Sequence, residues 1–235
     1  MTENSMDLSA LVVQRPTTAA QLVLLFHGEF TSASAMLPCA QALAATFPHA
    51  LVACVQAPYP AAGSDAQQWL APAADPTLAG EAALVAQVDA ALPVLLEAVH
   101  YWQAQAAVGP EATALVGFGQ GALLVLESTQ QPTPPAHRVV ALAGRFARLP
   151  ETGHYPGSIH FLHGKHDTTV PYQHTLAAAY RVRDLGMDLT AQVIPFVGHE
   201  IHPDFITATV EKLSTHIPKH LLVDQADTAP AAPSH

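Results

Sequence analysis

Asp167 and His199 have the residue types and the chain order of an acid and a base that act together on a third group. They follow a glycine-rich segment, residues 117–121 (GFGQG), which lies between a strand-like run and a helix-like run. This order is typical of a nucleophile elbow, in which a strand is followed by Gly-x-nucleophile-x-Gly and a helix. The Asp and then the His come later in the chain. In that chemistry the histidine takes the proton of the nucleophile, and the aspartate holds and stabilises the imidazolium.

Three further loops carry polar side chains directly after predicted strands: residues 27–30 (HGEF), 163–171 (HGKHDTTVP) and 198–200 (GHE). Each segment alone is typical of an ordinary strand-ending turn. In a parallel sheet the carboxyl ends of the strands meet at one edge, where ligand sites lie. We therefore expect the four loops to form one site.

The elements that must position these loops alternate along the chain. Strand-like patterns cover residues 11–15, 21–27, 51–56, 112–118, 138–143, 159–163 and 189–196. Helix-like patterns cover residues 33–47, 81–107, 120–130, 172–185 and 203–216, and a Pro/Gly-rich loop is predicted over 57–76. This alternation predicts an α/β protein with a mainly parallel central sheet and helices on both faces. We predict one domain, residues 1–222, and a disordered Ala/Pro-rich tail over 223–235.

At these motifs the chain resembles the α/β-hydrolases, in particular the carboxylesterase/phospholipase family that includes acyl-protein thioesterases and small bacterial esterases. The resemblance covers about residues 8 to 222. Residues 117–122 match the family's G-F-S-Q-G-[AG] elbow except at one position, and residues 163–171 fit its acid-bearing loop. The resemblance implies an α/β-hydrolase fold and hydrolysis of a small acyl ester or thioester without a cofactor or metal.

The resemblance also implies a role for individual residues. Asp167 and His199 would be the acid and base, and position 119 would be the nucleophile position. The backbone N–H groups of Glu29 and Gln120 would form the oxyanion hole. The side chains implied for the substrate pocket are Phe30, Trp69 and Phe118.

The sequence departs from the family pattern at the position that matters most for catalysis. Residue 119 is glycine, which has no side-chain oxygen, so no acyl-enzyme can form there. Phe30 stands where the family has a second glycine, and Glu29 brings a carboxylate near a site that should hold an oxyanion. We therefore expect activity to be lost or weak.

Three alternatives follow from the same residues. A pseudo-hydrolase would bind an acyl ligand or a protein partner in the old pocket without turning it over. Residues 117–122 also fit the dinucleotide pattern G-x-G-x-x-[GA], but the next strand ends in Gly144 and Arg145 rather than in an acid. A metal site would need the histidines near 160–166 and 199–202 to converge, although 160 and 163 lie on opposite faces of one strand.

The charge balance argues against nucleic acid as a partner. The 235 residues contain 9 Lys and Arg against 19 Asp and Glu, a formal charge of −10, whereas phosphate binding needs clustered basic residues. The acidic start lacks the pattern of a signal peptide, the longest apolar stretch contains acidic residues, and only two cysteines occur. We expect a cytoplasmic monomer or homodimer that does not span a membrane.

Overall fold

A seven-stranded sheet forms the centre of the computed structural model, which describes residues 9–61, 66–71 and 79–217. Its strands are β1 (Ala10–Gln14), β2 (Gln21–Phe26), β3 (Ala50–Val55), β6 (Thr113–Phe118), β7 (Arg138–Leu142), β8 (Ser158–Gly164) and β9 (Asp188–Ile194). Their order is β1-β3-β2-β6-β7-β8-β9. The β1 strand is antiparallel to β3, and every other pair is parallel. The predicted mainly parallel sheet is confirmed.

Five helices cover the two faces of this sheet. They are α1 (Leu37–Thr46), α2 (Gly80–Ala106), α3 (Gln120–Ser128), α4 (Gln173–Asp184) and α5 (Pro203–Thr215). Side chains of α2, α3 and α4 share one apolar core with the sheet, and those of α1 and α5 share the core on the opposite face. Because successive strand residues point to opposite faces, continuous apolar runs such as residues 22–26 supply both cores.

Two features differ from the predicted elements. The sequence predicts a loop over residues 57–76, whereas the described part of this segment contains the short antiparallel pair β4 (Tyr59–Pro60) and β5 (Gln67–Gln68). The first predicted helix begins with a 3-10 turn, Ala33–Met36, before α1. Two-residue strands are too short to leave a periodic pattern in the sequence.

Helix α2 is long and apolar enough, by length and composition, to cross a membrane, and a third of its most apolar stretch is buried inside the protein. It continues through Pro93, and one face places Val88, Leu95, Val99 and Trp102 in the core. Core helices of globular proteins can have the same length and composition, so this helix is only weak evidence for a membrane span. The predicted tail, residues 223–235, lies outside the described residues.

Candidate active site

The turn between β6 and α3 has the geometry of a sharp elbow centred on Gly119. Its backbone lies at φ 54° and ψ −114°, in a region that residues with a Cβ atom rarely adopt. The strand β6 and helix α3 approach so closely that a Cβ atom on Gly117 would lie 2.4 Å from the carbonyl oxygen of Gly121, and a Cβ atom on Gly121 would lie 2.2 Å from the carbonyl oxygen of Phe26 in β2. The N–H of Gly119 donates to the carbonyl of Leu142 at 3.1 Å, which ties the elbow to the neighbouring strand.

Asp167 and His199 meet beside this elbow, although 32 residues separate them in the chain. Asp167 follows β8 and His199 follows β9, and Nδ1 of the histidine lies 2.7 Å from Oδ2 of the carboxylate. The other carboxylate oxygen, Oδ1, accepts the N–H groups of Thr169 and Val170 at 2.9 and 2.8 Å. The carboxylate orients Nδ1–H towards itself, so Nε2 of the neutral imidazole carries the free lone pair.

The imidazole of His199 is packed from one side by Phe118. The two ring centroids are 4.8 Å apart, and Phe118 itself is buried. Nε2 faces Gly119, since a Cβ atom on that glycine would lie 3.3 Å from Nε2 and 3.7 Å from Cε1. The structure therefore brings positions 119, 167 and 199 together, and the catalytic roles assigned to them stay predictions.

A buried histidine, His163, supports the aspartate. Its Nε2 lies 2.8 Å from the carbonyl of Val170 and 3.2 Å from Oδ2 of Asp167, while Nδ1 lies 2.8 Å from Oγ1 of Thr175. Burial lowers the pKa of His163, which keeps the ring neutral at pH 7. Because the two oxygens at Nε2 are acceptors, Nε2 carries the proton. No pattern in the sequence indicates this role, although His163 opens the acid-bearing loop.

Another buried histidine holds the loop after β2 in place. Nε2 of His27 accepts the N–H of Ala57 at 3.0 Å, so its Nδ1–H donates to the carbonyl of Gly28 at 2.8 Å. Burial lowers the pKa of His27, in keeping with this neutral form. The indole Nε1–H of Trp69 donates to the carbonyl of His27 at 2.9 Å. These bonds fix the loop that carries Glu29.

The two backbone N–H groups predicted to bind an oxyanion belong to Glu29 and Gln120. Gln120 is the first residue of α3, and the N–H groups of a first helical turn have no partner within the helix. Within the described residues, no backbone carbonyl accepts the N–H of Glu29. The Oε1 atom of Gln120 accepts the N–H groups of Trp69 and Leu70 at 3.0 and 3.3 Å. One residue thus joins the elbow to the segment over 66–71.

A cavity of about 460 Å³ opens at the elbow. Its described lining contains Gly119, Gln120 and His199, together with Glu29, Gln68, Leu70, Ala71, Leu84, Gln87, Leu123, Gly144, Arg145, Thr169 and Val170. Apolar side chains line part of it and polar ones the rest, as in pockets that bind small organic molecules.

The assignment of Phe30, Trp69 and Phe118 to a substrate pocket stays a prediction, and none of the three is among the described residues that line this cavity. Phe30 is 61% exposed, and Trp69 is only 1% exposed because its ring packs on Phe26 and His27. The ring of Phe118 packs on that of His199. The neighbours of Trp69 in the chain, Gln68 and Leu70, supply the lining.

Metal-ligating side chains do not converge in the part of the chain that the structure describes. No group of three or more His, Cys, Asp or Glu residues there is arranged to hold an ion. His160 and His163, which were considered as ligands, are both buried and bonded to Thr190 and Thr175. These hydrogen bonds supply partners for ring nitrogens of the two buried histidines.

Comparison with known proteins agrees with this architecture. The phospholipase/carboxylesterase family model matches residues 8–220. Esterase YpfH from Escherichia coli (strain K12) is 39% identical over 212 residues, which are 89% of each chain. The crystal structure of esterase PE8 superimposes with a TM-score of 0.74 at 26% identity, over 83% of this chain and 92% of that one. A phospholipase/carboxylesterase from Dyadobacter fermentans DSM 18053 shares the fold, with a TM-score of 0.68 at 20% identity over 87% and 95% of the chains. The chain is a member of the phospholipase/carboxylesterase family, a family of ester hydrolases with the α/β-hydrolase fold.

Proposed function

We propose that this chain binds small carboxylic esters or thioesters in the cavity beside Gly119 and hydrolyses them slowly, without an acyl-enzyme. The observation that carries the proposal is the pairing of a complete Asp167–His199 dyad with a glycine at the nucleophile position. Family membership supports an ester as the substrate class. The missing side-chain oxygen removes the covalent step.

No cysteine replaces the missing hydroxyl as a nucleophile. Cys39 and Cys54 are both buried, and burial raises the pKa of each thiol to about 12. A thiol with so high a pKa is almost entirely protonated at neutral pH, and the thiolate is the reactive form. Both residues belong to the core on the α1 and α5 face, away from the lining of the cavity.

In the proposed reaction His199 acts on water directly. Nε2 takes a proton from a water molecule beside Gly119 while the water oxygen attacks the carbonyl carbon. The N–H groups of Glu29 and Gln120 hold the oxyanion that forms. When the intermediate collapses, the bond between the carbonyl carbon and the alcohol or thiol breaks. The leaving group then takes from Nε2 the proton that came from water. The products are the free acid and the alcohol or thiol, so all atoms are accounted for.

The expected rate is far below that of a complete triad. Enzymes that lose one triad member keep roughly 10³- to 10⁴-fold catalysis over water, from the oxyanion hole and substrate binding. Glu29 is exposed and lines the same cavity, and its negative charge opposes an oxyanion there. Both features support slow turnover.

Hydrolysis of a short acyl ester, compared between this chain and its His199→Ala variant, tests the proposal. We expect the unchanged chain to exceed the variant, because the variant has no base. Equal rates would contradict the water reaction. Equal rates with ester still bound would favour the alternative of a non-catalytic binding protein.

A further inference from the structure

The cavity contains a cation that the proposed reaction does not use. Arg145 follows β7, next to Gly144, and is one of the residues that line the cavity with Gly119 and His199. Among the described lining residues it is the only lysine or arginine. The chain as a whole carries a formal charge of −10, which disfavours anions, and a cation beside the cavity opposes this effect locally.

The ion pair between Arg145 and Glu81 is weak. Its Nη1 atom lies 2.8 Å from Oε1 of Glu81, in the first turn of α2. The side chain of Glu81 is 70% exposed, and that of Arg145 is 22% exposed. An ion pair with one partner so exposed contributes little to stability, because water and salt screen it. An anion that enters the cavity can therefore take the place of Glu81 at small cost.

The surroundings of Arg145 leave space for such an exchange. Besides the first cavity, Arg145 lines a second one of about 330 Å³, whose walls include Glu81 and His174. Arg145 thus borders both cavities, and its guanidinium lies on the side of the second one, where Glu81 is. Nη1 makes the bond to Glu81, and a guanidinium has five N–H donors in a planar fork that matches a carboxylate.

We propose that Arg145 binds a carboxylate carried by the substrate, so the preferred substrates are esters or thioesters whose acyl or alcohol part ends in a carboxylate. The inference rests on the proposed function, since it names the substrate class of the same cavity. A singly charged carboxylate suits the site better than a doubly charged phosphate group. Glu29 lies on the same cavity and repels added negative charge.

Matched esters test this proposal on the unmodified chain and three variants. Monoethyl succinate carries a carboxylate, ethyl levulinate is its neutral counterpart of similar shape, and ethyl 3-phosphonopropanoate carries the more highly charged group. Dissociation constants are measured by calorimetry for the chain and for Arg145→Gln, Arg145→Lys and Glu81→Gln. Thermal unfolding of each variant confirms that it is folded.

Arg145→Gln should weaken binding of monoethyl succinate about 10- to 100-fold and leave ethyl levulinate within about twofold. Arg145→Lys should recover part of the loss, because it keeps the charge without the fork. Glu81→Gln should strengthen binding of monoethyl succinate, because it frees the guanidinium.

Three results would overturn the inference. In the first, both esters bind, and neither the unmodified chain nor Arg145→Gln distinguishes the anionic ester from the neutral one. The proposed ester function would then stand. The second is binding of neither ester, which contradicts the proposed function as well. The third is tighter binding of the phosphonate than of the succinate ester, which contradicts the assignment of a carboxylate.

Discussion

A Cβ atom on Gly119 would lie 3.3 Å from Nε2 of His199. The same atom would lie 3.5 Å from Cα of Gly28, in the loop that carries Glu29. A side chain at position 119 would therefore stand between the base and the loop predicted to bind the oxyanion. Glycine leaves that space to a small molecule, and this is the basis of the proposed reaction with water.

Gly119→Ala fills that space without adding a nucleophile. The methyl group would displace water from Nε2, so we expect ester hydrolysis to fall towards the rate of His199→Ala. The positive φ of 54° also strains any residue with a Cβ atom, so the free energy of unfolding should fall by about 1–2 kcal/mol. Steady-state assays and denaturant unfolding measure the two effects. Unchanged hydrolysis in a folded Gly119→Ala protein would refute the role given to this space.

Gln120→Ala should loosen the segment over 66–71. The change leaves the N–H groups of Trp69 and Leu70 without their acceptor, at a cost of about 1–3 kcal/mol each while they remain buried. Because Gln68 and Leu70 line the cavity, we expect KM to rise more than kcat falls. Trp69 fluorescence should shift as its environment becomes wetter. Gln120→Glu keeps an acceptor oxygen and should restore KM, and failure of this rescue would argue against the hydrogen bonds as the cause.

Stability should fall as the pH drops below about 6.5, partly because of His160. Burial, together with the neighbouring charges of His216, Lys212 and Arg138, lowers its pKa to about 3, and Asp188 acts in the opposite direction. Between pH 3 and 6.5 the unfolded chain binds a proton that the folded chain does not, so acid favours unfolding. One such group gives a slope of up to about 1.4 kcal/mol per pH unit.

His160→Gln tests this assignment, because it removes one titrating group from the core. The variant should show a shallower loss of unfolding free energy between pH 6.5 and 4, measured with denaturant at several pH values. His100→Gln, on the exposed face of α2, is the matched control and should keep the original slope. His27 and His163 have pKa values lowered in the same direction, so some slope remains. Identical slopes in both variants would contradict the account of His160.

The sequence was sufficient to predict the central sheet and the convergence of positions 119, 167 and 199. Apolar periodicity identifies strands and helices, and parallel strands bring their carboxyl-end loops to one edge. Asp167 and His199 could be chosen because the spacing around them fits a family motif. Their 2.7 Å contact follows from the fold.

The cavity lining and the supporting histidines could not be predicted in this way. Phe30 and Trp69 have side chains suited to a pocket, yet one is exposed and the other is buried behind the lining. The position of Trp69 depends on its bond to His27 and follows the β4–β5 pair, contacts that join residues distant in the chain. His163 likewise meets Asp167 through the turn of one loop, and no periodic pattern reports such a turn.

Covalent labelling of Gly119→Ser tests the central claim most directly, namely that position 119 is the nucleophile position of an otherwise assembled site. A fluorophosphonate is incubated with the unchanged chain, with Gly119→Ser and with Gly119→Ser combined with His199→Ala, and adducts are located by mass spectrometry. The account predicts one adduct, at position 119, in Gly119→Ser alone, with ester hydrolysis raised on the order of 10³-fold or more. A folded Gly119→Ser protein without an adduct, or an adduct elsewhere in the unchanged chain, would contradict it.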